Sequence, residues 1–70
     1  MGMSTFGQNL KIERERMGLN QKQLAQKIHT SQQRVSEWER DKVEPTVSNI
    51  VAIVHALDIS FDDLFDGIDL

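Results

Sequence analysis

Gln32 and Gln33 stand side by side behind Ser31. A primary amide carries a donor and an acceptor in one plane, and on the edge of an adenine it can accept from the N6 amine while donating to N7. Glu37 follows one helical turn later and could accept from a cytosine N4 amine. Other chemistry is poorly supplied. There is no Cys, which excludes thiolate zinc sites and disulfide scaffolds. His29 and His55 are 26 residues apart, with no carboxylate placed to complete a ligand set. Asp62, Asp63, Asp66 and Asp69 suggest a calcium loop, but that pattern needs an oxygen ligand where Leu64 stands, before Gly67. With no nucleophile-and-base pair, phosphate loop or metal set, we expect neither an enzyme nor a cofactor, and no effector pocket.

The elements that must position the two amides are helical. One Pro, no apolar/polar alternation of strand length and no internal repeat point to an all-α chain of 70 residues and one domain. The expected helices cover approximately 6–17, 21–28, 32–40, 47–57 and 61–66, with 1–4 and 67–70 as flexible ends. The first carries the stripe Phe6, Leu10, Met17 and stops at Gly18. Asn20 with Gln23 forms a capping box for the second, whose inward residues are Leu24, Ala25 and Ile28. Ser31 caps the third, which turns Val35 and Trp38 inward. Thr46 caps the fourth, where Val47, Ile50, Val51, Val54 and Leu57 share one side and Ala52, Ile53 and Ala56 fill much of the rest. A helix apolar nearly all round is expected at the centre. Ser60 with Asp63 starts the short fifth.

Only His29 and Thr30 separate the second and third helices. Helices joined so tightly have no length for a return and must cross steeply, with a small residue, Ala25, at the contact. Once Val35 and Trp38 are buried, the helical period places Gln32, Gln33, Ser36, Glu37 and Arg40 outward.

Net charge sharpens this asymmetry. Residues 1–40 hold seven Lys or Arg against four Glu, a net +3, whereas residues 41–70 hold Lys42 against seven carboxylates, a net −6. The total of −3 therefore conceals a basic half that carries the two amides.

The run Leu10 to Phe65 resembles the Cro/C1-type (XRE) helix-turn-helix domain of phage and bacterial regulators. The residues that carry the likeness are Arg14, Gly18-Leu19-Asn20-Gln21, Leu24-Ala25-Gln26-Lys27-Ile28, Ser31-Gln32-Gln33-Arg34-Val35, Trp38-Glu39, Pro45-Thr46, Ala56-Leu57 and Ser60 to Phe65. Gly18 to Gln33 is similar to the lambdoid phage repressors, which also carry a Gln pair at the head of the recognition helix. The resemblance implies a compact five-helix, lambda-repressor-like fold, and a sequence-specific double-stranded DNA-binding regulator, a repressor, that docks the helix starting at Ser31 into the major groove. Gln32, Gln33 and Glu37 would then contact bases. Glu37 has a second reading, as a repulsive element or a partner of Arg34 or Arg40. Asn20, Gln21, Ser31, Arg34, Arg40 and Lys42 would contact the DNA backbone, with Thr46 and Asn49 beside Lys42. Arg14 and Glu39 would form a structural ion pair. A homodimer through the fifth helix and the end after it (Phe61, Phe65, Ile68, Leu70) would read near-palindromic half-sites. The expected location is the cytoplasm of a bacterial or phage-infected cell, away from membranes. The alternative is a protein-interaction module of the same fold, an antitoxin or antirepressor, with secondary DNA binding.

The sequence departs from the family at three turns. His29, Asp41 and Asp58 stand where relatives commonly have Gly, each after a helix end where left-handed backbone is usual. Asn, Asp and His tolerate positive φ best among non-Gly residues, and positive φ is expected at all three. Glu13 stands where many relatives are apolar, with Ile12 beside it, so two faces of the first helix compete there.

Overall fold

The structure is a computed structural model and describes residues 4–68. Along them run α1 (Phe6–Arg16), α2 (Gln21–Lys27), α3 (Gln32–Glu39), α4 (Val47–Leu57) and α5 (Phe61–Phe65). No strand occurs among the described residues. Every helix starts on a short polar side chain that accepts from the backbone N–H three residues on: Thr5, Asn20, Ser31, Thr46 and Ser60. At Thr5, Asn20 and Ser60 the bond is returned by Gln8, Gln23 and Asp63. Such a cap contributes about 1 kcal/mol, which matters for helices of 5 to 11 residues that are marginal alone.

The ends of α1 to α4 are also alike. The N–H groups of Leu19, Thr30, Lys42 and Ile59 reach back to the carbonyls of Arg14, Ala25, Glu37 and Val54 at 2.9 to 3.2 Å. This closure needs a left-handed residue at the turn. Gly18 supplies it after α1 with φ 74°, and His29, Asp41 and Asp58 supply it elsewhere with φ 59°, 58° and 53°. All three positions therefore have positive φ, at about 1–2 kcal/mol each relative to right-handed backbone. Met17, Ile28, Arg40 and Asp66 act as caps, so α1, α2, α3 and α5 each end one residue before the expected boundary.

Leu10, Leu24, Val35, Trp38, Ile53, Leu57 and Leu64 are wholly buried, so all five helices contribute to one core. Burial of each large side chain is worth about 1.5–3 kcal/mol. Ala25 lies in the α2–α3 crossing at 3% exposure, and Val35 and Trp38 fill the angle. Asn9 fastens α5 to α1: its Nδ2 donates to the carbonyls of Leu64 and Asp66, both at 2.8 Å. Phe6 and Phe65 pack alongside, with ring centroids 5.6 Å apart.

Two sequence expectations are corrected, and the open choice of face on α1 is decided. Met17 is half-exposed, because the turn at Gly18 swings Leu19 against the core in its place. Helix α4 is not enclosed. Ile53, Val54 and Leu57 are buried and Ile50 and Ala56 pack against the core, but Val47 is 76% exposed and Val51 37%. The row Val47, Val51, His55, at four-residue spacing, faces solvent because α4 is covered on one side only. On α1, Glu13 rather than Ile12 turns inward, and its carboxylate lies 3.6 Å from Arg16 Nη1.

Candidate nucleic-acid interface

Helix α3 divides its residues sharply. Val35, Trp38 and Glu39 are buried, Ser36 and Glu37 are half-buried, and Gln32, Gln33, Arg34 and Arg40 are exposed. The amides of Gln32 and Gln33 have no hydrogen-bond partner among the described residues, so both donor–acceptor planes remain available on the first turn. The start of that turn is fixed by Ser31 Oγ, which accepts from Arg34 N at 3.1 Å and keeps its own hydroxyl proton free to donate.

Around this turn lie groups suited to an anionic backbone. Asn20 Oδ1 accepts from Gln23 N at 2.7 Å, while its amide nitrogen has no partner among the described residues. The first backbone N–H groups of α2 point out of the helix end, where partial positive charge accumulates. Gln21 is held in a different way from a simple exposed side chain: its Nε2 donates to Glu39 Oε1 at 3.0 Å. One amide hydrogen is thereby committed and the second remains for a phosphate oxygen.

That bond belongs to a network. Arg14 donates from Nε to Glu39 Oε2 at 2.6 Å, from Nη2 to Oε1 at 3.0 Å and from Nη1 to the Leu19 carbonyl at 2.7 Å. Arg14 and Glu39 side chains are only 8% and 3% exposed. The hydrogen bond to Glu39 raises the guanidinium pKa further, against the opposing effect of burial. No buried side-chain polar atom among the described residues lacks a partner. The network thus ties α1, α2 and α3 together and holds Gln21 against the end of α3.

On the other side, Lys42 is exposed in the loop after α3, and its backbone N–H closes the helix end on Glu37 O. A shallow groove of about 260 Å³ joins α3 to the start of α4, lined by Arg34, Glu37, Trp38, Val43, Glu44, Thr46 and Asn49. Arg34, Thr46 and Asn49, all expected near the DNA backbone, thus border one groove. Glu37 forms no ion pair with Arg34 or Arg40; the ion pairs among the described residues are Arg14–Glu39 and Arg16–Glu13. Among the described residues the side chain of Arg40 makes one hydrogen bond, from Nε to the Ser36 carbonyl at 3.5 Å.

Sequence reasoning missed two residues behind this surface. Gly7 is buried in α1, where an added Cβ would meet the Glu39 and Trp38 carbonyls at 2.4 and 2.6 Å. Asp41 bonds Thr5 and the Gly7 N–H across the α1–α3 junction. Both contacts span more than thirty residues of sequence, so only the positive φ at Asp41 gave a hint.

The Helix-turn-helix family model matches residues 10–64. The chain belongs to the helix-turn-helix family. It is 30% identical over 67 residues to Repressor protein C2 of Salmonella phage P22, covering 96% of this chain and 31% of that protein. Over 55 residues it is 38% identical to the Immunity repressor protein of Bacillus phage phi105, covering 79% of this chain and 38% of that one. The chain thus spans about a third of the length of these relatives. The crystal structure of the P22 C2 repressor with a synthetic operator matches with a TM-score of 0.84 at 30% identity, covering 91% of this chain and 97% of that one. In this helix-turn-helix chain the tightly joined pair is α2 and α3.

Proposed function

We propose that this helix-turn-helix protein is a sequence-specific regulator that binds double-stranded DNA and represses transcription by occluding polymerase. The observation that carries the reading is the pair of unpartnered amides on the exposed first turn of α3, with the helix anchored by Ser31 at its start and Glu39 at its end. Gln32 and Gln33 read adjacent adenines, and Glu37, free of an arginine partner, faces either a cytosine amine or acts to repel wrong sequences. Asn20, Gln21, Ser31, Arg34, Arg40 and Lys42 hold the DNA backbone and set the register. The names of the two phage repressors and the operator complex of one of them support this reading.

One copy supplies about 600–1,000 Å² of contact, so two copies on near-palindromic half-sites centred about one helical turn apart give the useful affinity. The dimer forms through α5 and the residues after it. Phe61 is 50% exposed there, whereas Phe65 is partly occupied by Phe6; Leu70 lies outside the described residues. No described helix is long and apolar enough to cross a membrane, and the cytoplasm is the compartment in which such a regulator acts. No catalytic role is assigned to any side chain.

Sites selected from a random duplex library test the reading. We expect paired half-sites with adenines at neighbouring positions, and a Gln33→Ala variant that loses preference at one of them. Failure to enrich any sequence at low salt would sink DNA reading by α3; enrichment that Gln33→Ala leaves untouched would remove the base assignment alone.

A further inference from the structure

Three left-handed turns close helices without glycine, at His29, Asp41 and Asp58. Their side chains differ in one respect. Those of His29 and Asp58 make no hydrogen bond among the described residues, but the Asp41 carboxylate makes two, both to α1. Oδ2 accepts from Thr5 Oγ1 at 2.6 Å and Oδ1 accepts from the Gly7 N–H at 2.9 Å. At the same place Gly7 lets the last carbonyls of α3 approach closer than any Cβ would allow. The start of α1, with its positive end, thus sits on the end of α3, with its negative one, and the carboxylate bolts the junction.

Glycine at position 41 would satisfy the backbone equally well, so the turn alone does not call for Asp. The residue after it is Lys42, whose backbone N–H completes the turn on Glu37 O. Lys42 is the next residue along the chain, so the loop that carries it begins at these two bonds. We propose that Asp41 is a positioning residue for DNA binding: its carboxylate, bridging Thr5 and Gly7, fixes the α3–α4 loop so that Lys42 meets the DNA backbone. The inference rests on the proposed contact of Lys42.

Electrostatics gives the test its sign. A carboxylate beside DNA repels phosphate, so removing its charge should by itself tighten binding. A bolt predicts the reverse for Asp41→Gly, which keeps the turn and loses both bonds, and no loss for Asp41→Asn, whose amide can accept from Gly7 N and donate to Thr5 Oγ1.

The probe is a duplex selected by the wild-type protein, with binding measured where circular dichroism shows every variant fully folded. We expect Asp41→Gly to bind about tenfold more weakly, the order of one lost charged contact. Its log-affinity against log-salt slope should shrink by about 0.9, one phosphate. Asp41→Asn should match the wild type or bind more tightly. Lys42→Ala should weaken binding alike, and the double variant Asp41→Gly/Lys42→Ala should lose little more than either single one. Asp41→Gly with wild-type affinity and slope, alongside a weakened Lys42→Ala, overturns the positioning role alone. Losses that multiply in the double variant overturn it too, by placing the effect of Asp41 elsewhere. Full affinity in Lys42→Ala refutes the lysine contact and the inference with it.

Discussion

On the side of α3 that faces α1 and α2, the polar groups of Glu39 are engaged within the molecule, bonded to Arg14 and Gln21. On the side that faces solvent, Gln32 and Gln33 have partners nowhere among the described residues. A buried polar group without a partner costs about 1–3 kcal/mol, and more if charged, so the inner face tolerates no open valence. The outer face keeps its groups hydrated until another surface offers matching ones. One helix of 8 residues therefore divides its work by face: the inner row holds the domain together, and the outer row is free to change without unfolding it.

Substitutions can break or sharpen that division. The largest effect should come from Arg14→Met, which strands a buried carboxylate and should cost about 3–5 kcal/mol in chemical denaturation. A loss below 1 kcal/mol would show that the pair is not the fastener of the inner face. Next, Gly7→Ala drives a methyl group into backbone carbonyls rather than a flexible side chain, and about 1–3 kcal/mol of destabilisation is expected. An unchanged melting temperature would mean that the α1–α3 junction relaxes freely.

The outer face should answer only to DNA. Gln33→Ala should leave the denaturation midpoint within about 0.5 kcal/mol, while discrimination at one base pair falls by about 1–3 kcal/mol in competition binding. A stability loss comparable to the binding loss would erase the distinction between the faces. The smallest effect concerns the turns. Asp58→Gly relieves positive φ where no side-chain bond is lost and should stabilise by about 1 kcal/mol, whereas Asp41→Gly should gain less because two bonds go with it. Equal gains in thermal unfolding would show the Thr5 and Gly7 contacts to be energetically idle.

Much of this arrangement was legible in the chain. Asn20, Ser31, Thr46 and Ser60 announced helix starts because a cap is chemistry between residues three apart, and His29, Asp41 and Asp58 announced left-handed turns for the same local reason. The Gln pair was found because burial of Val35 and Trp38 fixes the opposite face through the helical period. What the chain left undecided depends on how the helices meet. Apolar composition placed α4 at the centre, yet Val47 and Val51 are exposed because no helix covers that side. Gln21 read as a contact to the DNA backbone, and only the packing of α2 against α3 brought the Glu39 carboxylate to it. Gly7 is unremarkable as a letter and Asp41 announced only a turn; their shared contact exists where two helix ends more than thirty residues apart touch. Local geometry is written in the spacing of neighbouring residues, but the contacts that orient α3 depend on how the helices cross, which is set by the whole core.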